Sequence, residues 1–320
     1  MPPTLQYVKP ASKRALQGAE TDAFMACFEE SIPPSASDIE VKELDAGLVM
    51  VIDDYLSPSE CLKLTQLVDG HQDLSFWSTS GRSDDKARTF RDADTIEVLS
   101  ESIASTLWAR MSGRFDKFSI SIEEESDGSN DSLWERELPG DWAPINFNHD
   151  LLWVKYPSGG AFAPHTDGKA IHDFNRRSFY SVILFLNEPE GGGTRFYKRE
   201  ALQHLQSGGA SGDSSSDRWT ASDEFLIHEV SPRAGRLLVF DQRLVHEGVP
   251  PQSPHVKHII RSDIMYQRAQ SVCDSPKDKE AYAMFREAEV LAEEGKVDES
   301  VALFRSSLKR SPALAKYMGQ

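Results

Sequence analysis

The rhythm of apolar and polar positions changes twice along the chain. Residues 1–40 mix Pro, Ser, Ala and charge without steady period, which predicts a flexible tail with at most a short helix over "TDAFMACFEE". The compact apolar run "LVMVIDDYL" (Leu48 to Leu56) predicts a strand. "SPSECLKLTQLVDG" follows with helical spacing, Ser57 or Ser59 as N-cap and Gly70 at the stop. "DTIEVLSESIASTLWARM" predicts a second amphipathic helix. From about residue 150 the segments shorten to "LLWVKY", "FYSVILFLN", "TRFYK", "EFLIHEV", "GRLLVFD" and "HIIRSDIMY". Each is rich in β-branched and aromatic residues and bounded by Gly, Pro, Asn or Asp. Their succession predicts a barrel or double-sheet jelly roll rather than alternating βαβ units. Two stretches poor in apolar residues, "EEESDGSND" and "SGGASGDSSSD", read as surface insertions.

From Lys277 the pattern turns helical again, with two amphipathic stretches meeting at "EEGKVD" and Pro312 ending the second. With Ala281 as position one, Ala288, Leu291, Gly295, Phe304 and Pro312 fall where a tetratricopeptide repeat places comparable residues, and Ser300 and Ser307 stand where small ones are wanted. One repeat cannot bury its own face. The segment therefore reads either as a hairpin docked on the main domain or as a repeat that binds a peptide partner. The expected division is a tail over 1–40, a β-rich domain over 41–270 and a helical hairpin over 277–320.

The 320 residues include 16 Phe, 8 Tyr and 6 Trp, enough for a sizeable core. A formal net charge of −16 disfavours nucleic acid and anionic lipid as partners. The cysteines Cys27, Cys61 and Cys273 are odd in number and far apart, which is neither a disulfide framework nor a zinc spacing. No secretory h-region and no membrane-length apolar run occur. The expected location is the cytoplasm or nucleus, without secretion.

Chemistry concentrates in "YPSGGAFAPHTDG" (Tyr156 to Gly168). On a strand, residues i and i+2 share a face, so His165 and Asp167 would converge and Thr166 would face away. "GRLLVFDQRLVHEGVPP" then supplies His246 at the end of a buried-looking strand. Two histidines and one carboxylate form the facial triad that holds non-haem Fe(II) and leaves coordination positions open. Beyond it, "HVKHIIRSDIMY" carries Lys257 and Arg261 on one face, roughly 13 Å apart at ~3.3 Å per residue. One anion cannot easily meet both. One is a natural counter-ion for a buried dicarboxylate, and the other is free to line the rim or pair with Asp263.

In this order the segments "YPSGGAFAPHTDG", "RRSFYSVILFLNEPEGGGTRFY", "GRLLVFDQRLVHEG" and "VKHIIRSDIMY" resemble the prolyl 4-hydroxylase-like branch of the Fe(II)/2-oxoglutarate-dependent dioxygenases. The resemblance covers roughly residues 45–268, including "LVMVIDDYLSPSEC". It implies an α+β fold with a mainly β core, a double-stranded β-helix (jelly roll) with supporting helices and the tetratricopeptide-like hairpin behind it. It implies Fe(II), 2-oxoglutarate and O₂, with ascorbate as a further cofactor, and release of succinate and CO₂. His165, Asp167 and His246 match the iron ligands. Lys257 matches the basic residue for the far carboxylate of 2-oxoglutarate, Arg261 being the alternative. Tyr156 matches a residue near cosubstrate or substrate. The substrate it implies is a protein or peptide, most naturally at prolyl residues. A small-molecule substrate and a non-catalytic jelly-roll adaptor are the competing readings. Asp241 and Glu247 flank His246 and could orient its ring, Arg177 is expected at a solvated rim, and His258, opposite Lys257, is excluded from the site.

Overall fold

Two antiparallel sheets carry the chain, and the facing of their side chains decides where a site can form. The structure, a computed structural model, describes residues 15–28, 41–45, 47–76, 85–111, 118–123, 139–206 and 220–318. The two expected surface insertions lie almost wholly outside the described residues.

Strands β1 (Val41–Asp45), β2 (Val49–Ile52), β3 (Ser75–Phe76), β4 (Asp94–Leu99), β5 (Ile120–Ile122), β6 (Gly140–Phe147) and β7 (Asp150–Tyr156) belong to the large sheet. β8 (Phe162–His165) opens the small sheet, β9 (Arg176–Phe185) returns to the large one, and β10 (Thr194–Tyr197) and β11 (Leu226–Val230) return to the small one. β12 (Leu237–Asp241) and β14 (Lys257–Arg268) sit in the large sheet, with β13 (Val245–Gly248) between them in the small one. The large sheet runs β1-β2-β12-β9-β14-β7-β4-β3, with β6 also paired to β14, and the small sheet runs β11-β10-β13-β8. The chain thus alternates between sheets, as a jelly roll requires.

Period-two alternation sorts the large sheet into two faces. Leu151, Trp153, Val182, Leu184, Ile260 and Ile264 join the larger core, against helices α1 (Asp22–Met25), α2 (Pro58–Gly70) and α4 (Glu101–Ala109). Val154, Tyr156, Ile183, Phe185 and Ile259 turn the other way, towards Phe196 of the small sheet. Each fully buried side chain of this size contributes ~1.5–3 kcal/mol. Because these strands are covered on both faces, they read in the sequence as near-continuous apolar runs.

Three expectations change. "DTIEVLSESIASTLWARM" is a strand followed by a helix: β4 pairs with β7 from Asp94 to Leu99, and Ser100 then caps α4 through Ile103 N at 3.3 Å. Ile96 and Val98, two positions apart and both in the larger core, show the true period, which helical spacing across both halves concealed. Within the expected tail, residues 15–28 are folded: Leu16 bridges to Val98, and the Phe24 ring packs 4.9 Å from Trp153. Arg177 is fully buried rather than at a rim, its guanidinium 5.6 Å from the Trp142 ring, because β9 lies between β12 and β14.

The short helices α3 (Asp85–Phe90) and α5 (Glu200–Gln206) precede the C-terminal α6 (Pro276–Glu293), α7 (Val297–Arg310) and α8 (Pro312–Tyr317). Ala281, Ala288, Ser300 and Ser307 are all buried in this helical unit, and Ser300 Oγ donates to Ala288 O at 2.8 Å. Pro312 is the first residue of α8, so a third helix follows the hairpin. The unit docks on the domain through Phe174, whose ring lies 5.6 Å from Tyr282 and 5.4 Å from Tyr317. No helix among the described residues is long and apolar enough to cross a membrane.

Candidate active site

The antiparallel pairing of β8 with β13 sets His165 directly opposite His246, with ring centroids 4.3 Å apart. His165 Nδ1 lies 2.7 Å from Ala163 O, and His246 Nδ1 lies 3.0 Å from Leu244 O. A carbonyl can only accept, so each Nδ1 carries a proton, and in the neutral ring this leaves the Nε2 lone pair for a metal. Both lone pairs face Asp167: His165 Nε2 is 3.6 Å from Oδ1 and His246 Nε2 is 3.7 Å from Oδ2. Ligand atoms of all three residues fall within 4.8 Å of one another, and no other metal-competent cluster occurs among the described residues. Phe162 stacks on the His165 ring at 3.7 Å and holds its plane.

Asp167 arrives differently from the expectation. β8 ends at His165, so strand alternation does not carry Asp167 inward, and the exposed Thr166 lies on the cavity rim rather than facing away. Asp167 is instead anchored by its backbone N–H to Gln242 O at 3.1 Å and by Ser181 Oγ to Oδ2 at 2.6 Å. Burial opposes its ionisation, but Arg261 and the two histidines outweigh that and hold its carboxyl well below the usual carboxylate range. Burial and the neighbouring His165 push His246 down to about 4, so it is a neutral imidazole at physiological pH. Asp241 and Glu247 do not orient His246. Asp241 pairs with Arg243 at 2.6 Å and Glu247 accepts from Tyr197 at 2.7 Å, while Leu244 O takes the ring proton.

The triad opens on a cavity of about 520 Å³ whose floor is the inner face of β7, β9 and β14. Lys257, Ile259, Arg261 and Asp263 of β14 line it in period two, as do Asp150, Leu152, Val154 and Tyr156 of β7. Lys257 is buried, with its ammonium 4.4 Å from the centre of the Tyr156 ring. Gly192 has φ +73°, and a Cβ there would come within 3.3 Å of Lys257 Cδ. The Gly-rich turn therefore makes room for the lysine stem as well as bending the chain. Arg261 points at the triad instead, 3.4 Å from Asp167 Oδ2 and 3.0 Å from Asp263 Oδ1. Burial disfavours its charge, but Asp263 and Asp167 more than offset this and raise its pKa. His258 turns away, with Nε2 2.9 Å from Asp69 Oδ1.

Sequence reasoning missed Arg91, a buried guanidinium that lines the cavity, binds Thr95 Oγ1 at 2.9 Å and lies 5.5 Å from the Phe162 ring. It also missed Ser181, Asn148 and Asp150. No motif marks them, because their placement depends on the registers Asp263↔Ser181 and Arg261↔Leu152.

Two facing antiparallel sheets with a His-Asp-His triad at one end define a jelly-roll site for a non-haem metal. Residues 151–262 match the family model of the 2OG-Fe(II) oxygenase superfamily, a class that uses Fe(II), 2-oxoglutarate and O₂. Similar solved structures include the viral collagen prolyl hydroxylase of Paramecium Bursaria Chlorella virus-1 (16% identity, 69% of this chain and 96% of that one, TM-score 0.36). A prolyl-4-hydroxylase of Pseudomonas putida is also similar (15%, 69% and 92%, TM-score 0.39). So is a prolyl hydroxylase of Trichoplax adhaerens in complex with a hypoxia inducible factor peptide fragment (14%, 70% and 85%, TM-score 0.42). Among curated proteins none matches the chain.

The donor set fits the metal of this class. Two imidazoles and one carboxylate suit Fe(II), and three protein ligands leave positions for cosubstrate and O₂. A buried lysine, Lys257, lining the same cavity suits a dicarboxylate.

Proposed function

We propose that this protein hydroxylates a protein or peptide, at prolyl residues, with His165, Asp167 and His246 as the Fe(II) ligands and Lys257 as the counter-ion of 2-oxoglutarate. The observation that carries this is the convergence of both Nε2 atoms on Asp167 at 3.6 and 3.7 Å, in one cavity with Lys257. When bound, the metal would supply an oxidative decarboxylation of 2-oxoglutarate by O₂, with one oxygen atom going to succinate, CO₂ released and the other oxygen atom going to substrate. The chain's own residues hold, orient and shield. The carbonyls of Ala163 and Leu244 fix the tautomer of each imidazole. Lys257 neutralises the far carboxylate, and Tyr156 presents its ring face to that ammonium.

Arg261 is a poorer counter-ion for cosubstrate, since Asp167 and Asp263 already engage it. Phe162, Ile183, Phe185 and Ile259 keep water from the cavity floor. The prolyl and polypeptide assignment rests on the order of the four motif segments across residues 156–266. The same reading takes residues 41–270 as the oxygenase domain, joined by 15–28, and 277–320 as a tetratricopeptide-like unit. A reducing compartment, cytoplasm or nucleus, fits the free thiols of Cys27, Cys61 and Cys273.

The test is succinate formation with candidate substrates. Turnover should require both Fe(II) and 2-oxoglutarate, vanish in His165→Ala, and add one oxygen atom to proline-rich peptides in the mass spectrum. Turnover with free amino acids or sterols and none with peptides would replace the polypeptide substrate by a small molecule. Peptide capture without succinate would make the chain an adaptor.

A further inference from the structure

Asp167 has two oxygens, and their surroundings differ. Oδ2 receives Ser181 Oγ at 2.6 Å, lies 3.4 Å from Arg261 Nη2 and faces His246 Nε2 at 3.7 Å, whereas Oδ1 faces only His165 Nε2, at 3.6 Å, among the ligand atoms. Arg261 is itself held by a fork on Asp263, with Nη1 to Oδ2 at 3.2 Å and Nη2 to Oδ1 at 3.0 Å. Asp263 in turn accepts from Gln242 Nε2 at 2.8 Å and from Asn148 Nδ2 at 3.4 Å. Gln242 closes the circuit, because its backbone carbonyl accepts the Asp167 N–H at 3.1 Å and its side-chain oxygen accepts from Ser178 at 3.0 Å.

We infer that Arg261, seconded by Ser181, is a positioning residue that occupies Oδ2 so that Asp167 ligates the metal through Oδ1 alone. This rests on the proposed assignment of the three metal ligands. The physical case is one of coordination number. A facial triad leaves three of six octahedral positions, and 2-oxoglutarate and O₂ need them all. A carboxylate that swung to bidentate ligation would take one of them. Two donors on Oδ2 oppose that swing, and a planar guanidinium pinned on Asp263 is a stiffer device than a lysine ammonium would be. The same arrangement gives a role to the second cation on β14, four positions from Lys257, whose guanidinium turns to Asp167 and Asp263.

The experiment is anaerobic titration of the full chain with Co(II), followed by visible absorption, for wild type, Arg261→Gln, Arg261→Lys and Ser181→Ala, with thermal unfolding of each metal-free protein as the folding control. Arg261→Gln should bind Co(II) about 10- to 100-fold more weakly, the range for loss of a ligand-orienting partner. Its absorption bands should shift in position and intensity as the coordination changes. Arg261→Lys should restore part of the affinity, with a spectrum between the two. Ser181→Ala removes one hydroxyl, keeps the fold if Arg261→Gln does not, and should show the same spectral shift at smaller amplitude. Wild-type affinity and spectrum in Arg261→Gln and Ser181→Ala overturn the inference. So does a raised KM for substrate in Arg261→Gln with unchanged metal binding, which would make Arg261 a substrate contact. Failure of the wild-type protein to take up Co(II) or Fe(II) removes the ligand assignment itself, and is read separately from any variant.

Discussion

Two buried ionic clusters use the same groups to opposite ends. Beneath α2, Glu60 and Arg110 pair one to one, at 2.9 and 2.5 Å, and both are almost fully buried. Their remaining valences are met within the chain. Glu60 Oε2 accepts the Ser57 N–H at 2.8 Å as part of a capping box, and Arg110 donates to Tyr55 O at 3.3 Å. At the cavity, Arg261 stands among Asp167, Asp263 and Asp150, three carboxylates about one guanidinium. Asp150 Oδ1 is buried with no hydrogen-bond partner among the described residues, and burial, only partly offset by Arg261, raises its pKa. The first cluster is balanced and complete. The second is incomplete: three carboxylates share one guanidinium beside the proposed metal ligands, with Arg91 and Lys257 elsewhere on the same lining.

The largest break comes from removing Asp167. Asp167→Ala should take metal-dependent succinate formation below detection. It should also abolish the rise in Tm that Co(II) gives wild type, worth ~2.7 kcal/mol at a free metal concentration about 100 times Kd. The metal-free variant should melt lower than wild type, because a carboxyl held below its usual range contributes stability near neutral pH through Arg261 and Ser181. An Asp167→Ala protein that still gains Tm with Co(II) would place the metal elsewhere. Next in size, Arg110→Met leaves Glu60 buried without its partner and should lose ~3–5 kcal/mol. Adding Glu60→Leu should recover most of that, and neither change should move Co(II) affinity in the folded fraction. Destabilisation of the double variant as deep as that of Arg110→Met would mean the pair itself, and not its completeness, carries the stability. Smaller again, Lys257→Ala should raise the KM for 2-oxoglutarate by the ~1.5–3 kcal/mol of a charge-assisted contact, roughly 10- to 100-fold, with Co(II) affinity unchanged. An equal loss in both would merge the two ends of the cavity that Arg261 and Lys257 are argued to separate.

The two clusters were not equally legible. The balanced one is half visible in the sequence, since Ser57, Pro58 and Glu60 spell a capping box, although nothing there names Arg110 as partner. In the other, His165, Asp167 and His246 stand out by residue type and order, and Lys257 and Arg261 by their shared face. Their division of labour does not, because it is set by cross-strand register: Ser181 reaches Asp167 only because β9 lies beside β14 with Ser181 opposite Asp263. The same limit hid the strand at Asp94–Leu99, whose edges touch α4 without a turn residue between them, and buried Arg177 where a pair of consecutive arginines suggested a rim. Local pattern marks elements and chemistry-bearing residues, whereas pairing across the sheet assigns their work.

A third ionic group extends the comparison into water. Asp53 takes the Arg236 guanidinium at 2.6 and 3.2 Å, with Arg233 at 3.2 Å, and Arg233 is about half exposed. The hydrogen bond from Arg236 comes first among the causes, ahead of an opposing effect of burial, and it holds Asp53 below its usual 3.8. A carboxyl depressed on folding contributes stability that is complete above its unfolded value and fades as pH falls through the folded one. Asp53→Asn should therefore cost about 1 kcal/mol near neutral pH, since Asp53 and Arg236 are only partly buried and Arg233 is exposed. That corresponds to no more than ~2–4 °C in Tm for a chain of this size. The Tm gap between wild type and variant should stay level down to about pH 4 and then close. It should also shrink in high salt, which screens this partly exposed group more than the sealed Glu60 with Arg110. A gap that held constant to pH 2.5 would assign the effect to packing of the Asp53 side chain, and the gradation from water-screened pair to sealed pair to acid-heavy site would lose its first step.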